Sequence, residues 1–499
     1  MIKDLKNTFR QSLIYGLGNV LVKATGLALM PIYIGAFDTE AYGALVIFEV
    51  MTQFMVGVFS FRIQSGLLRL ASEREPGEGQ GSIYFTSVLL MLALAVGVYL
   101  AFLPTSSFFS RFLFDSADYA NLFPILFASI ALEMLALMPM QLFRVQERPL
   151  AFISYLAFKL ACMLGFVSYF ILVKDMGLYG ALLGILLANA AMLLATLPAQ
   201  VKHAVARFDK EAAIEMFRFG APLIFTSISA ILLSIGDRFI IKIFGELSDV
   251  GVYGAAYKVG SVVNLLVINS FTLGFLPIAF KRYGKPGFDN FFTKMLSYFT
   301  VVTVLLTLLI SLFSKELIKM ISSDSPDYWL AAVLVPFIAF SFIFKAIQYY
   351  LSLSFHLTKR TRYDALVTMA GFAINIGLNF TLIPIFGLYG AIAATGLSYI
   401  AMGFITRYYA ARMHPISYEW GRIGLLILSC SIAIAIGILI NEMDLIVRLV
   451  IKALITSLYL AFLYFVFADK AEKEKIRKLR MALREKGGLN KLLSEAFRT

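Results

Sequence analysis

The chain has 499 residues, of which 60% are hydrophobic and 15% are charged, and its formal net charge is +13. Soluble domains carry about a quarter charged residues, so this composition excludes a soluble globular protein and predicts a polytopic membrane protein. Both cysteines, Cys162 and Cys430, lie in apolar segments, and no histidine stands at metal-ligand spacing. We therefore expect no disulfide framework, no metal site and no cofactor.

Apolar segments about 20 residues long can each cross a bilayer as one helix. The sequence predicts an all-α protein with fourteen such helices. In chain order they cover about 11–36, 42–68, 82–103, 120–143, 149–173, 178–200, 218–245, 251–280, 293–314, 328–355, 363–386, 388–406, 423–440 and 445–468. A basic tail, 469–499, follows them. Either it lies as a helix on the anionic inner leaflet or it is a solvated helix that fixes topology.

Lysine and arginine concentrate in alternate connections between the predicted helices. The segments 3–10, 202–218 and 359–362 are basic, whereas the opposite connections carry acids such as Asp38 and Asp115. Basic loops stay on the cytoplasmic side of a membrane. The pattern predicts a bacterial cytoplasmic (inner) membrane protein with both termini in the cytoplasm. Because topology accounts for most of the positive charge, we expect no nucleic acid partner.

Three short segments recur at a spacing of about 211 residues, which equals six predicted helices. The matched segments are Tyr42-Gly43 with Tyr253-Gly254, FRVQER (143–148) with FHLTKR (355–360), and GLYGA (177–181) with GLYGA (387–391). Six is even, so both copies have the same orientation in the membrane, as in transporters built from parallel repeats. The predicted domains are a first six-helix lobe (1–210), a second (211–415), two additional helices (416–468) and the tail (469–499).

Each recurring piece has a predicted local role. In GLYGA the first glycine allows a tight turn and the second a close approach of two helices. Ahead of the second helix, Asp38 or Thr39 is suited to cap the helix N-terminus.

Basic side chains outnumber acids inside the predicted spans. A charge at the centre of a bilayer costs at least about 2.5–3.5 kcal/mol unless it faces water or a partner. The surplus predicts a wet, cationic cavity whose ligand is an anion such as a phosphate or pyrophosphate. The predicted substrate-binding residues are Lys23, Arg62, Arg238, Lys258, Lys159 and Lys345. The candidates for ion coupling or charge pairing are Glu49, Glu133 and Asp237.

Some of these charges have a simpler interpretation. Arg238 can pair with Asp237 or Glu49, and Lys345 can reach the inner surface. Lys242 and Lys452 lie near the outer ends of their helices and can snorkel. We favour Lys23, Arg62, Arg238 and Lys258, because spans 1, 2, 7 and 8 are equivalent elements that can face each other across the two halves.

The segment FRFGAPLIFTSISAILLSIGDRFIIKIFGELSDVGVYGAAYKVG (217–260) resembles the start of the second half of polysaccharide flippases. NFTLIPIFGLYGAIAAT (379–395) and AYGALVIFEV (41–50) resemble the same family, part of the multidrug/oligosaccharidyl-lipid/polysaccharide exporter superfamily. The resemblance implies a MATE-like, V-shaped bundle of two lobes. It also implies that a polyprenyl-pyrophosphate-linked oligosaccharide (an O-antigen, capsule or exopolysaccharide repeat unit) moves from the cytoplasmic to the outer leaflet. Its partners would be this anionic glycan lipid, membrane lipids and other polysaccharide assembly proteins.

Three other functions stay open at this point. A cation-coupled multidrug antiporter needs acidic cavity groups, and the first half offers only Glu49 and Glu133. Lipid II export is a substrate variant of the flippase. A membrane glycosyltransferase could use Asp38 and Glu40 to bind a metal, but the outer loops are short for such a site, so we expect a transporter and not an enzyme.

Overall fold

The computed structural model describes residues 18, 25–73, 79–323, 325–467 and 473. These residues are almost entirely helical, and no β-strand occurs among them. The chain divides into two compact units, Met1–Tyr418 and Glu419–Thr499. The all-α polytopic fold predicted from the composition is confirmed.

The first unit contains sixteen helices in the described residues, in the order in which they occur along the chain. They are α1 (Thr25–Ala36), α2 (Thr39–Phe59), α3 (Ile63–Glu73), α4 (Gln80–Phe102), α5 (Ser106–Phe114), α6 (Phe123–Val145), α7 (Pro149–Ser168), α8 (Gly177–His203), α9 (Lys210–Ile235), α10 (Asp237–Phe244), α11 (Leu247–Gly260), α12 (Ser270–Arg282), α13 (Phe288–Leu312), α14 (Ser314–Ile321), α15 (Trp329–Leu357) and α16 (Arg362–Met413). We call α1–α8 the first half and α9–α16 the second half.

The second unit contains α17 (Trp420–Leu439) and α18 (Leu445–Phe462). Within it the Arg448 guanidinium donates to the carbonyl oxygen of Asn441 at 2.9 Å. Lys452 is completely buried, so the expectation that it snorkels to the membrane surface is wrong. Apart from Lys473, the predicted basic tail lies outside the described residues.

Eleven helices among the described residues are long and apolar enough to cross a membrane. The predicted first span lies outside the described residues except for Gly18 and α1. The predicted eighth span is divided into α11, a π-helical turn (Asn264–Asn269) and α12. The predicted eleventh and twelfth spans form α16, in which Gly387 alone leaves the helical conformation. The chain is thus a multi-pass membrane protein, and the count of fourteen stays a prediction.

The recurring segments adopt the same backbone turns in both halves. Gly177 and Gly387, the first glycines of the two GLYGA segments, have φ of 54° and 55°. Glu147 and Lys359, at matching places in FRVQER and FHLTKR, have φ of 53° and 57°. The next residue in each case closes the helix end, with hydrogen bonds of 2.9 Å from Arg148 N to Phe143 O and 2.8 Å from Arg360 N to Phe355 O. These are Schellman-type ends, which satisfy the last carbonyls of a helix.

The second glycine of each GLYGA lies against the preceding helical segment. A Cβ atom on Gly180 would lie 3.0 Å from the carbonyl oxygen of Phe170, and one on Gly390 would lie 2.2 Å from that of Leu382. At Gly390 only a residue without a side chain fits, and at Gly180 a Cβ would require its neighbours to shift. The two glycines of each GLYGA segment therefore have the separate roles predicted for them: the first allows a turn and the second allows a close helix contact.

Substitution of Gly390 by alanine should destabilise the protein, because its Cβ would overlap the Leu382 carbonyl. Gly377→Ala is a matched control in the same helix, since a Cβ there meets nothing within 4 Å and alanine favours helix by about 1 kcal/mol. In detergent-solubilised protein we expect Gly390→Ala to lower the melting temperature by several degrees and Gly377→Ala to leave it unchanged or raise it. Equal melting temperatures would contradict the close approach.

Candidate functional site

The two halves touch closely at one end of the first unit, which we call the acidic end because Asp38, Asp115 and Glu246 lie there. Helices α2 and α11 begin at this end and pack side by side. A Cβ on Gly43 would lie 1.9 Å from the Leu247 carbonyl oxygen, and one on Gly251 would lie 2.0 Å from that of Thr39. The two glycines therefore bring backbone against backbone and close the seam between the halves.

Side chains add to the closure at the acidic end. The Tyr328 hydroxyl of the second half donates to the carbonyl oxygens of Phe37 and Asp38, at 3.0 Å each. Lys242 reaches Asp115, with 2.7 Å between Nζ and Oδ2. The Asp115 side chain is 81% exposed, so Lys242 does extend to the end of its helix as a snorkelling side chain would. These contacts link the halves through one buried hydroxyl, that of Tyr328, and one ion pair whose carboxylate is exposed.

At the acidic end, carboxylates lie at the N-termini of helices. Asp38 accepts a hydrogen bond of 2.8 Å from the backbone of Ala41 and caps α2, as predicted. Burial, followed by the nearby charges of Glu40 and Asp38, raises the pKa of the Tyr119 phenol. Glu40 and Asp38 thus place negative charge beside Tyr119 at the acidic end.

Deeper in the seam, one ion pair joins the two halves. Lys258 Nζ on α11 lies 2.9 Å from Glu49 Oε1 on α2. Their side chains are 18% and 29% exposed, respectively, so neither is sealed. Two tyrosine rings of the first half flank the ammonium group, Tyr42 at 5.4 Å and Tyr33 at 5.9 Å from the ring centroid. An ammonium over aromatic faces is stabilised without being neutralised.

A second ion pair, between Asp237 and Arg238, is sealed inside the second half. The Arg238 Nη1 atom lies 2.7 Å from Asp237 Oδ1 and also donates to the Ser234 carbonyl oxygen at 3.0 Å. The Tyr253 hydroxyl donates to the other carboxylate oxygen, and the guanidinium lies 4.3 Å from the centroid of Tyr257. Both charged side chains are at most 6% exposed. The alternative in which Arg238 pairs with Asp237 is the one that the structure contains.

Lys345 joins the same cluster from α15. Its ammonium lies 5.3 Å from the ring centroids of both Phe342 and Tyr399. Phe342 in turn contacts Tyr257, with 5.8 Å between centroids. We call these residues, together with the Glu49–Lys258 pair and its two tyrosines, the central cluster; its charged members are Glu49, Asp237, Arg238, Lys258 and Lys345.

Arg62 occupies a bend between α2 and α3. Both Phe61 and Arg62 have positive φ, 45° and 54°, which residues with side chains seldom adopt. A Cβ on Gly220 of α9 would lie 2.2 Å from the Phe61 carbonyl oxygen, so the bend presses against the second half. The Arg62 side chain is half-buried, and its Nε atom is buried with no hydrogen-bond partner among the described residues.

The remaining predicted residues do not join the central cluster. Lys159 on α7 and Glu133 on α6 are both half-buried, and neither forms an ion pair with a described residue. Lys23 lies outside the described residues. The roles assigned to all these side chains stay predictions.

The sequence also indicated two tyrosines of the central cluster that we had not selected as candidate site residues. Tyr42 and Tyr253 are equivalent in the repeat, and each faces a cation of the second half. Tyr42 lies beneath Lys258, and Tyr253 lies 5.6 Å from the Arg238 guanidinium. The recurring Tyr-Gly pair thus supplies both a close helix contact and an aromatic wall for a positive charge.

The comparisons with known proteins concern both the family and the fold. A model of the family described as Polysaccharide biosynthesis protein matches residues 8–282. No curated protein matches the chain significantly.

Solved structures match over most of the chain at low sequence identity. A lipid II flippase, MurJ, in an inward closed conformation is 15% identical, with a TM-score of 0.67 over 93% of this chain and 99% of that one. An inward-facing multidrug resistance MATE family transporter of the MOP superfamily is 13% identical, with a TM-score of 0.66 over 81% and 95%. A MOP superfamily transporter from Pyrococcus furiosus, described as having a binding pocket of reverse polarity, is 13% identical, with a TM-score of 0.60 over 85% and 96%.

If the glycines close the acidic end, Gly251→Ala should open it, because the new Cβ would overlap the Thr39 carbonyl. Spin labels at Asp118→Cys and Asp327→Cys, two exposed positions on opposite halves, report the separation in a background without the native cysteines. We expect the distance distribution from double electron–electron resonance to shift to longer values. Gly274→Ala, where a Cβ meets nothing within 4 Å, should leave it unchanged. Identical distributions for both variants would refute the role of the glycine contact.

Proposed function

The chain belongs to the family of polysaccharide biosynthesis proteins, and from this premise we propose that it is a flippase for a polyprenyl-pyrophosphate-linked oligosaccharide. It carries this glycan lipid from the cytoplasmic to the outer leaflet of a bacterial inner membrane. The family match to residues 8–282 is the observation that carries the proposal. The matched segment includes α2 and α11, which place Glu49 and Lys258 at the seam between the halves.

The chemistry of the seam supports an anionic headgroup as the substrate. Lys258 is a cation of the seam whose side chain is 18% exposed, and a pyrophosphate could replace a carboxylate as its partner. Arg62, in the bend that follows α2, adds a guanidinium whose Nε atom has no hydrogen-bond partner among the described residues. No covalent bond needs to form or break for a lipid headgroup to cross, so we propose a transporter rather than an enzyme.

Alternating access of the two halves is the proposed mechanism. With both termini in the cytoplasm, as the loop charges predict, the acidic end faces outward and is closed in this structure. The substrate would enter toward Lys258 from the opposite end, where the loops rich in lysine and arginine are predicted to lie. Release would require α2 and α11 to separate at Gly43 and Gly251, while the two halves come together at that opposite end.

A cation-coupled drug antiporter of the same superfamily fits the cluster less well. Such a transporter needs a carboxylate that is free to take a cation, whereas in the central cluster Glu49 is held by Lys258 and Asp237 by Arg238. Glu133, which forms no ion pair with a described residue, lies outside this cluster. Lipid II has the same pyrophosphate chemistry, and only a substrate comparison in vesicles separates it from other glycan lipids. For a glycosyltransferase, Asp38 and Glu40 were the suggested metal ligands, but the Asp38 carboxylate caps α2.

In proteoliposomes that contain a fluorescent polyprenyl-pyrophosphate oligosaccharide, Lys258→Gln should reduce the flipping rate at least about tenfold. A hydrogen bond to a charged group is worth about 1.5–3 kcal/mol, and 1.4 kcal/mol is a factor of ten. Lys242→Gln is the matched control, since its pair with the exposed Asp115 contributes about 0–1 kcal/mol. The assay measures the fraction of label accessible to quencher over time. Equal loss in both variants, or no loss in either, would overturn the assignment of Lys258.

Arg62→Gly separates backbone strain from substrate contact. Glycine accepts the positive φ at this position, so the variant should be more stable by about 0.5–1 kcal/mol. If the guanidinium contacts the headgroup, the same variant should flip the substrate several-fold more slowly. Lys359→Gly, at an exposed position with φ of 57°, gives the same backbone relief and should keep full transport. Unchanged flipping by Arg62→Gly would remove Arg62 from the site.

A further inference from the structure

The two ion pairs of the central cluster differ in whether a ligand could reach them. The Asp237–Arg238 pair is at most 6% exposed, and its guanidinium also donates to Ser234. The Glu49–Lys258 pair is 29% and 18% exposed, and the rings of Tyr42 and Tyr33 flank its ammonium group. Lys258 is therefore the cation of the two pairs that can exchange its partner.

The pair also has a mechanical role, because its members belong to different halves. Glu49 is on α2 and Lys258 on α11, the same two helices that Gly43 and Gly251 hold together at the acidic end. Asp237 and Arg238 are neighbours on α10, so their pair survives any movement of one half against the other. Of the two pairs, only Glu49–Lys258 must lengthen when the seam opens.

We propose that the Glu49 carboxylate occupies, in the closed seam, the place on Lys258 that the phosphate of the substrate takes during transport. The carboxylate and the phosphate are then competitors for one ammonium. A bound phosphate removes the charged link between α2 and α11 and so favours separation of the halves. This inference rests on the proposed function, since it assigns the partner exchange that couples substrate binding to opening.

A different role for Glu49 predicts the opposite result. If Glu49 only orients Lys258 for the substrate, its removal should weaken phosphate binding. If it competes, its removal should strengthen binding. The sign of the change therefore distinguishes the two roles, and folding defects do not mimic a gain in affinity.

The test uses the full-length protein in lipid nanodiscs and farnesyl pyrophosphate, a short polyprenyl pyrophosphate, as the probe for isothermal titration calorimetry. We expect Glu49→Gln to bind the probe about tenfold more tightly than the wild type, as the loss of a charged competitor implies. Glu49→Asp has a shorter side chain whose carboxylate reaches Lys258 less well, so it should bind the probe with an intermediate affinity. This variant replaces Glu49→Gln in the test if the glutamine variant does not fold. Glu147→Gln removes the same charge from an exposed position of the first half, outside the central cluster, and should not change the affinity.

A second measurement links binding to the seam. The Asp118→Cys/Asp327→Cys spin-label pair should report longer distances in Glu49→Gln without probe, and in the wild type only after farnesyl pyrophosphate is added. Weaker or unchanged binding by both Glu49 variants overturns the competition. The double variant Glu49→Gln/Lys258→Gln removes both charges together. If it binds the probe as the wild type does, the substrate site assigned under the proposed function is wrong instead.

Discussion

The cost of placing charge inside a membrane is the constraint on which this structure depends. An unpaired charge there is unfavourable by several kcal/mol, so each buried cation needs a carboxylate, a π face or water. The central cluster satisfies this in two ways. Arg238 takes its partner from the adjacent position in the chain, Asp237, and needs no particular arrangement of the halves. Lys258 takes its partner from the opposite half, so its neutralisation by Glu49 exists only while the seam is closed.

Closure in turn depends on residues that have no side chain. At Gly43 and Gly251 the two helices approach to a distance that any Cβ would prevent. That approach places Tyr42 under the ammonium of Lys258, although Tyr42 lies about two turns from Glu49 along α2. The contact between α2 and α11 therefore sets both the helix packing and the neutralisation of Lys258. A ligand that changes one of them also changes the other.

Local chemistry explains what could be predicted from the sequence. The turns at Gly177 and Gly387 and the cap of α2 involve neighbours in the chain, so residue type and spacing were sufficient. Arg238 was left between two partners, Asp237 and Glu49, and was favoured as a substrate-binding residue, whereas the structure seals it against Asp237. The Glu49–Lys258 pair joins residues 209 positions apart, and no local pattern indicates which two charges meet. The repeat revealed Tyr42 and Tyr253, but their role depends on which cation each one faces. An excess of buried positive charge was inferred from counts, whereas pairing depends on geometry that counts do not contain.

The energies of the two pairs suit them to different tasks. Breaking a sealed pair such as Asp237–Arg238 by removing one partner costs about 3–5 kcal/mol, because the other charge stays in a medium of low polarity. A pair with some access to water, such as Glu49–Lys258, costs less to break than a sealed one, since water can solvate both groups when they separate. A transporter must open and close repeatedly, so a link between its halves has to be weak enough to break in each cycle. The exposure of Glu49 and Lys258 meets that requirement, and the burial of Asp237 and Arg238 keeps the rest of the cluster fixed while it happens.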